Sequence, residues 1–307
     1  MNRPFRLAAT LVAVGSLLAA CGGTTSTPTS AMSEAPMSEA PMSEAPMSEA
    51  PATPVAGGLL DKILTAGKLV VSTDPAYPPQ SEVTAEGDYE GFDIDVAMEI
   101  AERLGVTVEW QTPPWEAITA GGWGGRWDIS VGSMAITPER AQVIDFSSPY
   151  YFTPAQLAAS TESGITSIDE LVGKTVCVGE ATTYLQWLQG TLDFGPAGTP
   201  DAPPEGINVV TLPSDRDCAV QWRQGRHDFE GWLSSITTVE LAIADGLPLI
   251  KLGEPVFNEP LAVASDKGGP PTEDFIAWLD GELAAMHADG TLSGFSQTWF
   301  GADLTQD

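Results

Sequence analysis

The chain has 307 residues, with 13 lysines and arginines against 42 aspartates and glutamates, a formal charge of −29. So acidic a chain argues against nucleic acid or an anionic membrane face as partner, because both would repel it. His227 and His287 stand far apart and neither lies at zinc spacing from a cysteine, so no metal site and no cofactor are expected.

Arg3 and Arg6 precede an apolar run from Leu7 to Leu18, and small residues follow up to Cys21. Residues 1–20 therefore read as a secretory signal peptide, too short and wrongly flanked for a permanent membrane span. Leu18-Ala19-Ala20-Cys21 resembles a lipobox, which implies cleavage before Cys21 and acylation of its sulfur; ordinary cleavage leaving a free cysteine is the alternative. From residue 21 to about 58 nothing has a core-forming pattern. Met-Ser-Glu-Ala-Pro occurs four times between Met32 and Pro51. A proline every fifth residue breaks any helix, and the apolar content is too low to offset the entropy of ordering. This stretch is expected to be an extended tether.

The remaining residues suffice for one large or two medium domains. A helix from Leu59 stops at Gly67, and Lys68–Thr73 reads as a buried strand running into a rigid loop, Asp74-Pro75-Ala76-Tyr77-Pro78-Pro79. Asp88 to Gly91 is a turn. A helix over Val96–Leu104 stops at Gly105, a strand follows over Val106–Trp110, and a short helix begins at Trp115. Gly121–Gly125 lacks the Lys-Ser/Thr of a phosphate loop and reads as a turn. The strand Trp127–Val131 then enters Gly132-Ser133-Met134-Ala135-Ile136-Thr137-Pro138-Glu139-Arg140. Thr137 is placed as a helix N-cap with Pro138 at the first helical position. The Arg140 fork, the Ser133 hydroxyl and free backbone N–H groups would there converge on a carboxylate. The alternative is an Arg140 paired at the surface with Asp145 or Glu139.

Val143–Phe146 and Tyr150–Phe152 are extended, and the pattern then restarts. Ser167 caps a short helix and Lys174–Val178 is a strand. Helices are placed from Tyr184 and over Ser214–Gln224, with a strand within Gly206–Leu212 between them. After a helix near 238–244 the chain is extended over Lys251–Val263, and it closes with a helix over Thr272–Ala288 and another ending at Phe300. Alternation of this kind predicts an α/β fold in two halves, with polar loops at the strand ends where such sheets take ligands. Cys177 falls on a strand and Cys218 on a helix that can pack over it. An even cysteine remainder in an exported chain points to one disulfide; two separate buried thiols are the alternative.

Lys68 to Pro79 resembles the opening strand and loop of extracellular solute-binding proteins of the polar amino-acid ABC-importer type. Gly91-Phe92-Asp93-Ile94-Asp95, Ile136 to Arg140 with Asp145 to Tyr151, Gly173-Lys174-Thr175-Val176 with Thr182-Thr183, and Ala288 to Leu292 with Trp299-Phe300-Gly301 are similar to later segments of that family, in order over roughly residues 59–302. The resemblance implies a two-lobed periplasmic-binding-protein fold (type II), each lobe a mostly parallel sheet flanked by helices around a ligand cleft. It places lobe 1 at 59–155 plus 254–307 and lobe 2 at 156–253. Function by this resemblance is capture of an amino acid or related small carboxylate and delivery to an ABC permease, by a monomer anchored outside the cytoplasm through Cys21.

The resemblance also assigns residues. Arg140 matches the arginine that pairs with the ligand α-carboxylate, and Ser133 and Ala135 match loop positions that touch ligand. Thr182 and Thr183 match donors from the second lobe. Tyr77 and Trp115 match aromatic walls, with core packing as the alternative, and Asp74 is a candidate for a cationic or polar ligand group, or else caps its own loop. One departure stands out. Many members place an aspartate for the ligand ammonium where this chain, counted from Asp228, has Leu233. Either another acid, Asp74 or Glu230, takes its place, or the ligand is not an ordinary α-amino acid. Gln80 also stands where an aromatic is usual. Two other functions remain open: an exported dehydratase-like enzyme for small cyclic acids on the same fold, with Glu230 or Asp74 as general acid, and a sensor that passes its signal to a receptor.

Overall fold

The computed structural model describes residues 53–306 except His227. The segment read as a signal peptide, Cys21 and the repeats lie outside the described residues. Helix α1 (Leu59–Ala66) buries Leu59, Leu60 and Ile63. Just before it, the Val55 amide donates to Asp274 and the Gly57 amide to Asp61, so the last residues assigned to the tether are docked on the domain.

Strand β1 (Lys68–Ser72) is followed by three short strands, β2 (Ala76–Tyr77), β3 (Ser81–Val83) and β4 (Tyr89–Glu90), which form a small antiparallel sheet. Strands this brief carry no readable alternation, which is why the sequence reads there as loop and turn. Helix α2 (Phe92–Leu104) begins four residues earlier than its apolar pattern predicts and buries Phe92, Ile94, Val96, Ala97, Ile100 and Ala101. Then come β5 (Thr107–Gln111), α3 (Trp115–Thr119), β6 (Ile129–Ala135) and the 17-residue strand β7 (Ile144–Ser160). The second half contains β8 (Thr175–Gly179), α4 (Thr183–Leu188), β9 (Asn208–Leu212), α5 (Asp215–Arg223), β10 (Gly231–Ser235), α6 (Ile236–Ala244) and β11 (Leu249–Lys251). The chain returns through β12 (Phe257–Asp266) to α7 (Glu273–Ala288) and α8 (Thr291–Phe300).

The strands run in the order β5-β1-β6-β12-β7-β10-β8-β9, with β11 also on β7. β5, β1 and β6 are mutually parallel and form the first lobe; β10, β8 and β9 are mutually parallel and form the second. β7 belongs to both. It pairs with β12 from Ile144 to Ala155, then with β10 and β11 from Ala155 to Ser160. The first lobe packs Phe92, Tyr150, Tyr151 and Phe300 ring against ring beneath α2 and α8. Full burial of one such side chain is worth roughly 1.5–3 kcal/mol. In the second lobe Trp222 meets both Phe229 and Trp232, beside Cys177 and Cys218, which are bonded with their Cα atoms 5.9 Å apart.

Two local expectations are corrected. Gly132 to Ala135 continue β6 rather than forming a loop. No α-helix starts at Thr137; only a single 3-10 turn, Arg140–Gln142, follows, and the Thr137 hydroxyl accepts the Arg140 amide at 3.2 Å. Ile144, two residues after the turn, pairs with β12 as the start of β7, which ends the turn before a helix can propagate.

Candidate functional site

The ends of β1, β6, β8 and β9 face one another across a cavity, walled also by α3 and by Glu259 near the start of β12. Arg140 is the basic residue in its lining and is only 6 % exposed. Its Nη1 donates to the Ala135 carbonyl of the first lobe at 3.0 Å, and its Nη2 to the Ala181 carbonyl of the second at 2.9 Å. Its guanidinium carbon stands 5.6 Å from the centre of the Trp115 ring, and the Trp115 indole also donates to Ala181, at 3.2 Å. Two hydrogens of a five-donor fork are thus used to fix its plane, and the others remain for a ligand. Burial lowers the Arg140 pKa to about 10, with Glu259 and Glu139 opposing the fall. A cation taken out of water in this way favours an anionic ligand atom. The surface pairing with Asp145 or Glu139 is not formed; Asp145 meets Lys267 and Thr272, and Glu139 meets Gln186.

The backbone at the site is strained. Ser133 (φ 55) and Ala181 (φ 57) are the non-glycine residues with positive φ among the described residues, and each costs on the order of 1–2 kcal/mol. Ser133 leaves the ladder: its amide goes to the Tyr150 hydroxyl at 3.0 Å, and its own hydroxyl donates to Asp93 at 2.7 Å and meets Tyr151 at 2.6 Å. Ala181 turns its carbonyl to Arg140 and Trp115.

Four carboxyl groups line the same cavity: Asp74, Glu180, Asp215 and Glu259. Asp74 caps its own loop, accepting the Ala76 amide at 2.8 Å, and faces the cavity as well. Asp215 opens α5 after the strand end at Leu212 and is buried. It accepts the Gly179 amide at 2.6 Å and the Ser234 hydroxyl at 3.3 Å. Only glycine fits at 179, since a Cβ there would stand 2.5 Å from the Asp215 carboxylate. Burial pushes Asp215 up to about 8; the Gly179 amide opposes this, and Glu259 and Asp74 add to it. Glu259 lies on β12, is buried, and accepts the Thr183 hydroxyl. Burial raises it too, against the Thr183 and Tyr184 hydroxyls and Arg140.

Asp74, Tyr77, Trp115, Ser133, Ala135, Arg140, Thr182 and Thr183 are thus brought together at one cavity. Their hydrogen bonding differs from expectation in one respect. The Thr182 hydroxyl donates to the Gly179 carbonyl at 2.8 Å and that of Thr183 to Glu259, so both are engaged by the protein itself. Leu233 is not at the site. It is fully buried in the core, in the middle of β10. The family position was counted from Asp228, whereas β10 runs from Gly231 to Ser235, the N-cap of α6, so that its end lies beyond Leu233. Glu230 is absent from the cavity lining; its carboxylate accepts the Thr175 amide at 2.9 Å.

Asp215, Glu259, Glu180 and Tyr184 were missed by sequence reasoning. Glu259 had a signal: Phe257, Glu259 and Leu261 share one strand face by period two, which places a charge on a face otherwise apolar. Asp215 follows a strand end and a capping serine, as the other site loops do.

A family model described as bacterial extracellular solute-binding proteins, family 3, matches residues 69–302. The chain belongs to this family. The L-cystine-binding protein TcyJ of Escherichia coli K12 is 30 % identical over 251 residues, covering 81 % of this chain and 88 % of that protein. ABC transporter arginine-binding protein 1 of the same organism is 26 % identical over 244 residues, covering 76 % of this chain and 91 % of its own. Among solved structures, the ancestral amino acid-binding protein AncCDT-1, described as a precursor of cyclohexadienyl dehydratase, superposes with a TM-score of 0.66 at 28 % identity, covering 78 % of this chain and 99 % of that one. Family-3 membership agrees with two lobes meeting at a polar cavity.

Proposed function

We propose that the protein is the substrate-binding component of an ABC importer, which captures an amino acid or related small carboxylate between its lobes and hands it to a membrane permease. The observation that carries this reading is Arg140, buried on the cavity wall and bonded to a carbonyl of each lobe. A ligand carboxylate on that fork touches both lobes at once and so favours the closed form over the open one. The names of the relatives, which bind cystine and arginine, support the amino-acid class. The finer parts of the reading are a monomer exported and held by an acylated Cys21 outside the cytoplasm, a Cys177–Cys218 bridge made in that oxidising compartment, lobe boundaries at 155/156 and 253/254, and transport rather than catalysis.

Thermal-shift screening of the purified protein against amino acids and amine-free carboxylates tests it, because a ligand of the native state raises the melting temperature by mass action. An amino acid is expected to stabilise the wild type, and Arg140→Ala to lose at least about a hundredfold in affinity, the cost of breaking a buried charged contact. Absence of any shift, or a shift that Arg140→Ala leaves intact, would count against the reading. A second reading, a dehydratase for small cyclic acids, draws on AncCDT-1 and on Asp215, whose carboxyl at about 8 is suited to donate a proton at neutral pH. Turnover of such acids by the wild type, abolished in Asp215→Asn, would favour it.

A further inference from the structure

Resting on that reading, we propose that the ligand carries one carboxylate and two cationic groups, as diamino and guanidino amino acids do, with Glu259 receiving the α-ammonium and Asp215 with Asp74 receiving the second cation. The cavity holds more acids than bases. Arg140 is the basic side chain of the lining, and a ligand carboxylate uses it. Asp74, Glu180, Asp215 and Glu259 then remain, of which Asp215 and Glu259 are buried and Asp74 and Glu180 half-buried. Among the described residues no lysine, arginine or histidine makes an ion pair with any of them. Buried carboxylates without a cation either hold a proton or await a partner.

The α-ammonium of an amino acid stays close to its carboxylate, so it falls to the acid beside Arg140. That acid is Glu259, which feels the charge of Arg140 directly and has Tyr184 as a neighbour in common with it. One ammonium leaves Asp215 and Asp74 unserved, and these two feel each other's charge. Their neighbourhood is already fixed for a ligand: Gly179 and Ser234 hold the Asp215 carboxylate in place, and Ala76 holds that of Asp74. The end of β10 offers no competing site, because its Ser235 hydroxyl accepts from the buried Gln80 amide at 3.0 Å.

A cation delivered to Asp215 also draws off its proton. The charged and titratable groups facing it are Asp74 and Tyr77 from the first lobe, Glu259 from β12, Tyr184 from α4, and Glu180 and Arg140 across the lining. Arg216 and Asp217 adjoin it on α5. Binding of a dicationic ligand near pH 7 therefore releases protons, whereas a side chain without charge leaves Asp215 protonated.

Titration calorimetry of the purified protein tests this with L-ornithine, L-lysine and L-arginine against L-citrulline, L-norleucine, L-glutamate and L-cystine, in buffers of different ionisation enthalpy. One of the first three is expected to bind at least about tenfold more tightly than any of the others, the worth of a charge-assisted contact, and to release protons. Asp215→Asn should reduce that ratio towards one, and Asp74→Asn serves as the second variant. Glu259→Gln should weaken every α-amino acid. Tightest binding by a neutral, acidic or cystine ligand overturns the inference and leaves the transport reading intact. Binding of no amino acid at all overturns the inference, and the thermal-shift screen against amine-free carboxylates then decides the transport reading. The wild-type ratio decides the first case even where a variant fails to fold.

Discussion

Gln80 offers a way to perturb closure without touching the ligand. The residue lies between β2 and β3, fully buried, and its backbone is tied to the first lobe: its carbonyl accepts the Asp93 amide at 2.8 Å. That approach requires Gly91 (φ 131), where a Cβ would stand 2.3 Å from the Gln80 carbonyl oxygen. Its side chain, in contrast, bonds only to the start of α6 in the second lobe. Nε2 donates to Ser235 at 3.0 Å and to Thr237 at 2.7 Å, and Oε1 accepts from Thr238 at 3.3 Å. Each neutral bond is worth about 0.5–1.5 kcal/mol net, so the set contributes about 2 kcal/mol to the closed form. Gln80→Leu removes all three and shifts the closed-to-open ratio roughly thirtyfold. Where closure is coupled to binding, apparent affinity falls by a similar factor. Calorimetry gives the affinity, and small-angle scattering with and without ligand gives the closed fraction. The unliganded melting temperature should change little, since the contacts cross the cleft and are lost on opening in the wild type too. Affinity unchanged within about twofold would refute the reasoning.

Two other predictions concern stability. The Cys177–Cys218 bond closes a loop of 41 residues, which the chain-entropy model values at about 4 kcal/mol; denaturant unfolding with and without reductant, or with the Cys177→Ser and Cys218→Ser pair, should show a loss of that order, and an unchanged midpoint would contradict it. Burial pushes Asp93 up to about 7 from 3.8, with Tyr150 and Ser133 opposing the rise. Between those values the folded chain holds a proton that the unfolded chain has lost, so this group's contribution to stability falls as pH rises from about 4 to 7. Asp93→Asn should flatten the unfolding free energy over that range relative to the wild type, and an equally steep fall in the variant would exclude the assignment.

Much of this architecture is legible in the chain because its signals are local. The apolar spacing of Val96 to Leu104, the capping serines at 167 and 214 and the left-handed glycines at 67 and 105 each depend on a few neighbours. Arg140 was found because it follows a strand end and a recognisable Thr-Pro. The misses have a different physical origin. Asp215 and Glu259 lie 44 positions apart in the chain and are joined to Arg140 only by the closing of two lobes, a relation without sequence periodicity. Leu233 was misplaced because its position was counted from Asp228, whereas β10 runs on to Ser235, and in a strand each shift of one exchanges the two faces. β2, β3 and β4 were lost to brevity.

The connection between the lobes is a two-stranded ribbon rather than a pair of linkers. β7 and β12 remain paired up to Ala155 and Phe257, and the Val256 and Leu252 amides continue the ladder to Ala155 and Leu157 at 2.8 Å each. The lobes are thus joined along one hydrogen-bonded ladder. Glu259 sits on that ribbon, opposite Thr153 in the pairing, and reaches the cavity from it. A ligand charge that meets Glu259 therefore meets the element that joins the two lobes, with no side chain standing between pocket and connection.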